Sequence, residues 1–136
     1  MNCYVDSSVL LRHLLAGDED FGRVKEFAKA GSSELLYIEC SRVIYRYRME
    51  AMITDNQLEE AMMRFNEIYD ALFIFEISSK VKKRSAASFP TAVGTLDAIH
   101  LSTALLWAEQ EEEPMSIFTF DEQMKTCAHS MGIHTV

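Results

Sequence analysis

The sequence predicts an α/β domain with a mainly parallel central sheet. Short apolar runs recur at residues 2–5, 73–75, 116–120 and 133–136. Segments with helical periodicity or helix-capping residues lie between them, and that alternation is the signature of a parallel sheet flanked by helices. The length of 136 residues suits one domain, and a hydrophobic content of 49% supplies a real core. No repeat, low-complexity tract or linker interrupts it, so residues 1–136 are read as one unit.

Each element follows from local chemistry. The run NCYV at 2–5 is an apolar strand ending at Asp6. Ser7 and Ser8 are N-cap types ahead of VLLRHLL, and Gly17-Asp18 breaks that helix. A second helix is expected over 19–30, closed by Gly31. Leu35, Leu36 and Tyr37 lead into a longer helix carrying Ile38, Glu39 and Cys40, ending near Met52. Thr54-Asp55 caps the clearest amphipathic helix: Leu58, Ala61, Met62, Phe65, Ile68, Tyr69 and Leu72 fall on one face. Phe73-Ile74-Phe75 reads as a buried strand, and a helix is expected over 79–89. Thr95 caps LDAIHLSTALLWAEQ, which is apolar on most faces and therefore central. The strand at 116–120 leads to a short helix from Asp121 to about His129, ended by Gly132, and residues 133–136 form the last strand.

Several function classes are disfavoured. No stretch approaches the ~18 apolar residues of a membrane span, and MNCYVDSS lacks the basic start and apolar run of a signal peptide. A soluble cytoplasmic protein is expected. The three cysteines are odd in number and include no C-x-x-C pair, which argues against a disulfide framework or zinc knuckle. The net charge of −8 opposes general nucleic-acid binding but suits carboxylates concentrated for a cation.

Ligands of parallel sheets bind beyond the carboxyl ends of the strands. Asp6 and Asp121 directly follow apolar strands, so both should emerge at one sheet edge. Glu39 and Asp97 lie near the starts of apolar helices, where the helix dipole favours an anion. Each has an ordinary structural alternative. Asp6 and Asp121 would serve as caps, Asp97 as a first-turn acid and Glu39 as a partner of Arg42 at i+3. Four acids within apolar segments are harder to explain one by one, because uncompensated buried charge is costly. Two unit charges ~4 Å apart repel by about 4 kcal/mol at an effective dielectric of ~20. A divalent cation removes that penalty, and hard oxygen donors without thiolate suit Mg²⁺ or Mn²⁺.

The segments YVDSSVLLRHL (4–14), YIECSRVIYR (37–46), GTLDAIHLSTAL (94–105) and FTFDEQM (118–124) carry a family resemblance. Together they resemble the PIN domain, and most of all the VapC-type toxins of toxin–antitoxin pairs. TLDAIHLSTAL is the most specific piece; the shorter ones gain weight from their order. The resemblance implies a PIN-like three-layer α/β/α sandwich and a Mg²⁺- or Mn²⁺-dependent endoribonuclease. It matches Asp6, Glu39, Asp97 and Asp121 to the acidic quartet, with Asp6, Asp97 and Asp121 as metal ligands. Glu39 would ligate directly or orient a water. Ser7 and Thr119 match the hydroxyl positions that support the acids. The implied partners are an RNA substrate, an antitoxin protein and a second copy of the chain. One departure is Gly94, where many relatives carry a basic residue.

The implied reaction is attack of a metal-activated water on a backbone phosphate. Arg42 and Arg46 fall at i+3 and i+7 from Glu39 and are candidate phosphate contacts; solvated surface is the alternative, and the more natural one for the Lys80–Arg84 run. His100, three residues after Asp97, is read as a core histidine. The 55–72 helix with Met49, Met52, Met62 and Met63 would supply an interface or fill the core. A phosphoacceptor receiver domain shares the size and the strand-end acids. It needs a second acid beside the first and a lysine after a late strand, where this chain has Asp6-Ser7-Ser8 and Thr119-Phe120-Asp121. A haloacid-type phosphatase needs D-x-D, which Ser8 breaks. A non-catalytic PIN-like binding domain remains the bland alternative.

Overall fold

The computed structural model describes residues 1–136. Its elements run β1 (Asn2–Val5), α1 (Ser7–Ala16), a 3-10 helix (Asp20–Glu26), β2 (Ala30–Ser33), α2 (Leu35–Met49), α3 (Asp55–Ala71), β3 (Phe73–Phe75), α4 (Ser79–Ser85), α5 (Thr95–Glu111), β4 (Met115–Phe118), α6 (Glu122–Ser130) and β5 (His134–Thr135). All strand pairs are parallel, in the order β3-β2-β1-β4-β5. Helices cover both faces, giving a three-layer α/β/α sandwich. That order also separates the chain from receiver domains, whose sheets run 2-1-3-4-5. No helix is long and apolar enough to cross a membrane.

Strand pleat divides the core in two, because successive side chains point to opposite faces. Cys3, Val5 and Phe118 pack beneath α1, α2 and α3 with Leu10, Leu36, Ile44 and Phe65. Tyr4, Met115 and Ile117 face α5 and α6 with Leu101, Trp107 and Met124. α5 buries residues around most of its circumference, as its composition predicts. α3 carries the expected Thr54 cap, closed into a capping box by Gln57: Thr54 Oγ1 accepts from Gln57 N at 3.2 Å, and Gln57 Oε1 accepts from Thr54 N at 2.8 Å. Met62 packs against the core, whereas Met49, Met52 and Met63 are exposed.

The expected helix over 19–30 is wrong in its second half. Only the seven-residue 3-10 helix forms, and residues 30–33 make a strand between β1 and β3. AGSS has neither branched nor aromatic residues to announce a strand. Gly31 is not a helix stop but a close-approach point: a Cβ there would lie 2.8 Å from the Phe73 carbonyl oxygen and 3.0 Å from the Trp107 ring. Gly31→Ala is therefore expected to destabilise the fold by about 1–3 kcal/mol in urea unfolding. An unchanged midpoint and slope would show that β3 yields freely. Helix starts also shift: Asp6, not Ser7 or Ser8, caps α1, and Gly94, not Thr95, precedes α5. α4 ends at Ser85, short of the expected residue 89.

Candidate active site

The strand order reverses between β1 and β4, so the sheet opens a crevice beyond their carboxyl ends. Asp6 follows β1, and Thr119 and Asp121 follow β4. α2 and α5 both begin at this edge and bring Glu39 and Asp97.

Asp6 is the most enclosed of the four acids, at 3% exposure. Its Oδ1 accepts from Ser8 N at 3.1 Å and Ser8 Oγ at 2.6 Å, and its Oδ2 from Thr119 Oγ1 at 2.5 Å. Burial raises its carboxyl above the usual range, and the Ser8 and Thr119 hydroxyls act in the opposite direction. The structure corrects the sequence reading here: Ser8, not Ser7, supports Asp6. One helical position separates them, and the cap geometry of Asp6 turns residue 8 back onto the carboxylate. Ser8 Oγ also accepts from Phe120 N at 2.9 Å, and Thr119 Oγ1 from Asp121 N at 3.0 Å. These two hydroxyls thereby tie the ends of β1 and β4 together.

Thr119→Val keeps the shape but strips a donor from a buried carboxylate. A loss of about 2 kcal/mol is expected at neutral pH, since hydrogen bonds to charged groups contribute roughly 1.5–3 kcal/mol. The loss should shrink in acid, where Asp6 takes up a proton. An equal loss at both pH values would mean that the methyl's packing, not the bond, decides.

Asp121 is half-buried and caps α6, its Oδ1 accepting from Met124 N at 2.9 Å. Asp97 lies in the first turn of α5 and is half-buried. Its carboxyl is pushed up to about 6, first by burial, then by the negative charges of Asp121 and Asp6; Glu39 adds to this and His100 partly offsets it. Asp97 thus senses all three other acids. Glu39 does not pair with Arg42. Its Oε1 lies 2.5 Å from His100 Nε2, and His100 Nδ1 lies 2.6 Å from the Tyr4 hydroxyl. His100 is 1% exposed, so it is a core histidine, yet one that holds a site residue. Its sequence position gave no sign of partners 61 and 96 residues away.

The four carboxylates share an edge and repel one another without meeting at one point. No group of three His, Cys, Asp or Glu side chains is set to hold a metal ion. The donor set itself fits a hard divalent cation: it is all carboxylate oxygen, without thiolate, and carries repulsion that a cation offsets. Arg42 and Arg46 are exposed on the outer side of α2, beside Tyr45 and Met49, in a shallow groove of about 430 Å³. Neither forms an ion pair, whereas Arg48 pairs with Asp55 and Arg84 with Glu109.

An acid cluster at the switch point of a five-stranded parallel sheet, with hydroxyls bracing its most buried carboxylate, defines a class: an α/β carboxylate-site domain. The PIN domain family model matches residues 3–129, and the chain belongs to that family, whose members are nucleases. Among solved structures, the chain is similar to VapBC2 from Rickettsia felis bound to a DNA fragment from its promoter (11% identity, 100% and 98% of the two chains, TM-score 0.68). It is also similar to PAE2754 from Pyrobaculum aerophilum (16% identity, 100% and 92% covered, TM-score 0.64). A toxin–antitoxin complex from Klebsiella pneumoniae matches with 17% identity, 90% and 89% coverage and TM-score 0.60. These likenesses show the fold. No curated protein matches the chain in sequence.

Proposed function

We propose that this PIN domain is a Mg²⁺- or Mn²⁺-dependent endoribonuclease acting in the cytoplasm, and the toxin of a toxin–antitoxin pair. The observation that carries the reading is the placement of Asp6, Glu39, Asp97 and Asp121 at one edge of the sheet, near enough for the charges of the other three to raise the Asp97 carboxyl. The fold likeness to two toxin–antitoxin complexes supports the toxin half.

In this reading Asp6, Asp97 and Asp121 hold the cation, and Ser8 and Thr119 fix the orientation of Asp6. A divalent cation supplies Lewis-acid polarisation of the phosphate and acidifies water. Glu39 orients the attacking water or ligates through one oxygen. Arg42 and Arg46, free of carboxylate partners, contact the RNA backbone as local cations on an otherwise acidic protein. Removing both is expected to weaken RNA binding and flatten its salt dependence by about two phosphate contacts. Exposed Tyr45 and Met49 on α2, Met63 on α3 and Met52 in the segment between them give an apolar surface of the kind that an antitoxin or a second copy covers.

The test is cleavage of a single-stranded RNA pool with Mn²⁺ or Mg²⁺ and with EDTA. Cleavage that needs the metal is expected. Intact RNA with both metals would favour a PIN domain that only binds its partner.

A further inference from the structure

We propose that Tyr4 and His100 are positioning residues, a buried relay that holds one oxygen of Glu39 and leaves the other for the reaction. The role given to Glu39 rests on the nuclease reading; the relay itself rests on geometry.

The relay begins in the sheet. Ser33 N donates to the Tyr4 hydroxyl oxygen at 3.0 Å. That oxygen lies 2.6 Å from His100 Nδ1, and His100 Nε2 lies 2.5 Å from Glu39 Oε1. Tyr4 is fully buried, and burial raises its phenol, so the hydroxyl keeps its proton. A carboxylate only accepts, so Nε2 donates to Glu39, and in the neutral ring Nδ1 is then left to accept from the Tyr4 hydroxyl. The ring proton then sits on Nε2 and points at the carboxylate. The relay is also the cross-link between the two helix layers at this edge. Glu39 comes from α2, above the Cys3–Val5 face, and His100 from α5, above the Tyr4 face.

Three consequences follow for Glu39. Its side chain is 14% exposed and makes no other hydrogen bond, so Oε2 is the oxygen without a protein partner and the one open to water or a cation. With Oε1 already accepting a hydrogen bond, ligation through Oε2 is favoured over chelation through both oxygens while the relay holds. The carboxylate is also fixed in place before substrate arrives, and such fixing separates an oriented base from a mobile surface acid. Any buried histidine needs partners for its ring nitrogens; what distinguishes His100 is that one of its partners is a site acid.

The relay is tested first without metal or RNA, by long-range ¹H–¹⁵N spectra of the imidazole rings. Wild type should show His100 protonated at Nε2, with a slowly exchanging ring proton that is lost in Glu39→Ala. Protonation at Nδ1, or a proton indifferent to Glu39→Ala, overturns the proposal. Function is then read with Mn²⁺ and a fluorogenic single-stranded RNA. His100→Leu should lower kcat about 10- to 100-fold with little change in KM, the usual effect of losing a residue that orients a site group. His100→Gln, whose amide N–H can replace Nε2–H, should recover most of that rate. A merely structural role would lower both variants in step with their melting temperatures, and that outcome overturns the proposal. Should His100→Leu not fold, Tyr4→Phe, which unties Nδ1, is read in the same way. A wild type that neither cleaves RNA nor melts higher with Mn²⁺ overturns the role assigned to Glu39, while the ring spectrum still decides the relay.

Discussion

Asp97→Asn is expected to lower RNA cleavage by at least about 10³-fold, yet to melt at a higher temperature than wild type in EDTA. The first effect follows from losing an anionic cation ligand, since a bound metal supplies several kcal/mol of transition-state stabilisation and each 1.36 kcal/mol is about tenfold. The second follows from the raised carboxyl. Its ordinary value is 3.8, and burial with the neighbouring acids pushes it to about 6. The folded chain therefore binds this proton more readily than the unfolded chain, and stability falls as pH rises through that window. Above it, wild type carries the full penalty and the asparagine variant carries none; below about pH 4 the advantage disappears. Fully felt, such a shift approaches about 3 kcal/mol. Asp97 is half exposed, and solvent screening leaves about 1 kcal/mol, or a few degrees. A variant that melts below wild type in EDTA at neutral pH would mean that the acids do not repel as the geometry requires.

Phe65→Ala should be the most damaging single truncation for stability, with a loss of about 3–5 kcal/mol. Phe65 is fully buried at the centre of the α1–α2–α3 core, and its ring lies 5.8 Å from those of both Tyr37 and Tyr69. Domains of this size keep only about 5–15 kcal/mol in total, so the variant would unfold near physiological temperature. The effect reaches the site through α2, which packs on Phe65 and carries Glu39. Urea unfolding measures it; a loss under about 1 kcal/mol would show that the core collapses around the gap.

Residues whose role depends on local spacing were legible in the sequence. The α3 stripe and its Thr54 cap, the strand-end positions of Asp6 and Asp121 and the apolar girth of α5 all follow from periodicity. β2 was not, because its place in the sheet depends on the Trp107 ring and the Phe73 carbonyl lying close against a glycine. The exchange of Ser7 for Ser8 shows the same limit at finer scale: adjacent hydroxyls look alike until the cap turns one toward Asp6. His100 shows it most fully. Burial was foreseeable, but its bonds to Tyr4 and Glu39 join three elements that meet only in the folded chain. The four acids were identified as a set from resemblance, and the fold brings them to one edge without closing them on one point.

The most direct measurement is the melting temperature of wild type as Mn²⁺ is titrated against an EDTA reference, alongside Asp6→Asn and Asp97→Asn. If the acids form a cation site, ligand at about 100 times its Kd adds about 2.7 kcal/mol to the native state. Wild type should then melt several degrees higher, and the two variants should gain little or nothing. A wild-type melting temperature that stays unchanged up to millimolar Mn²⁺ would contradict the account.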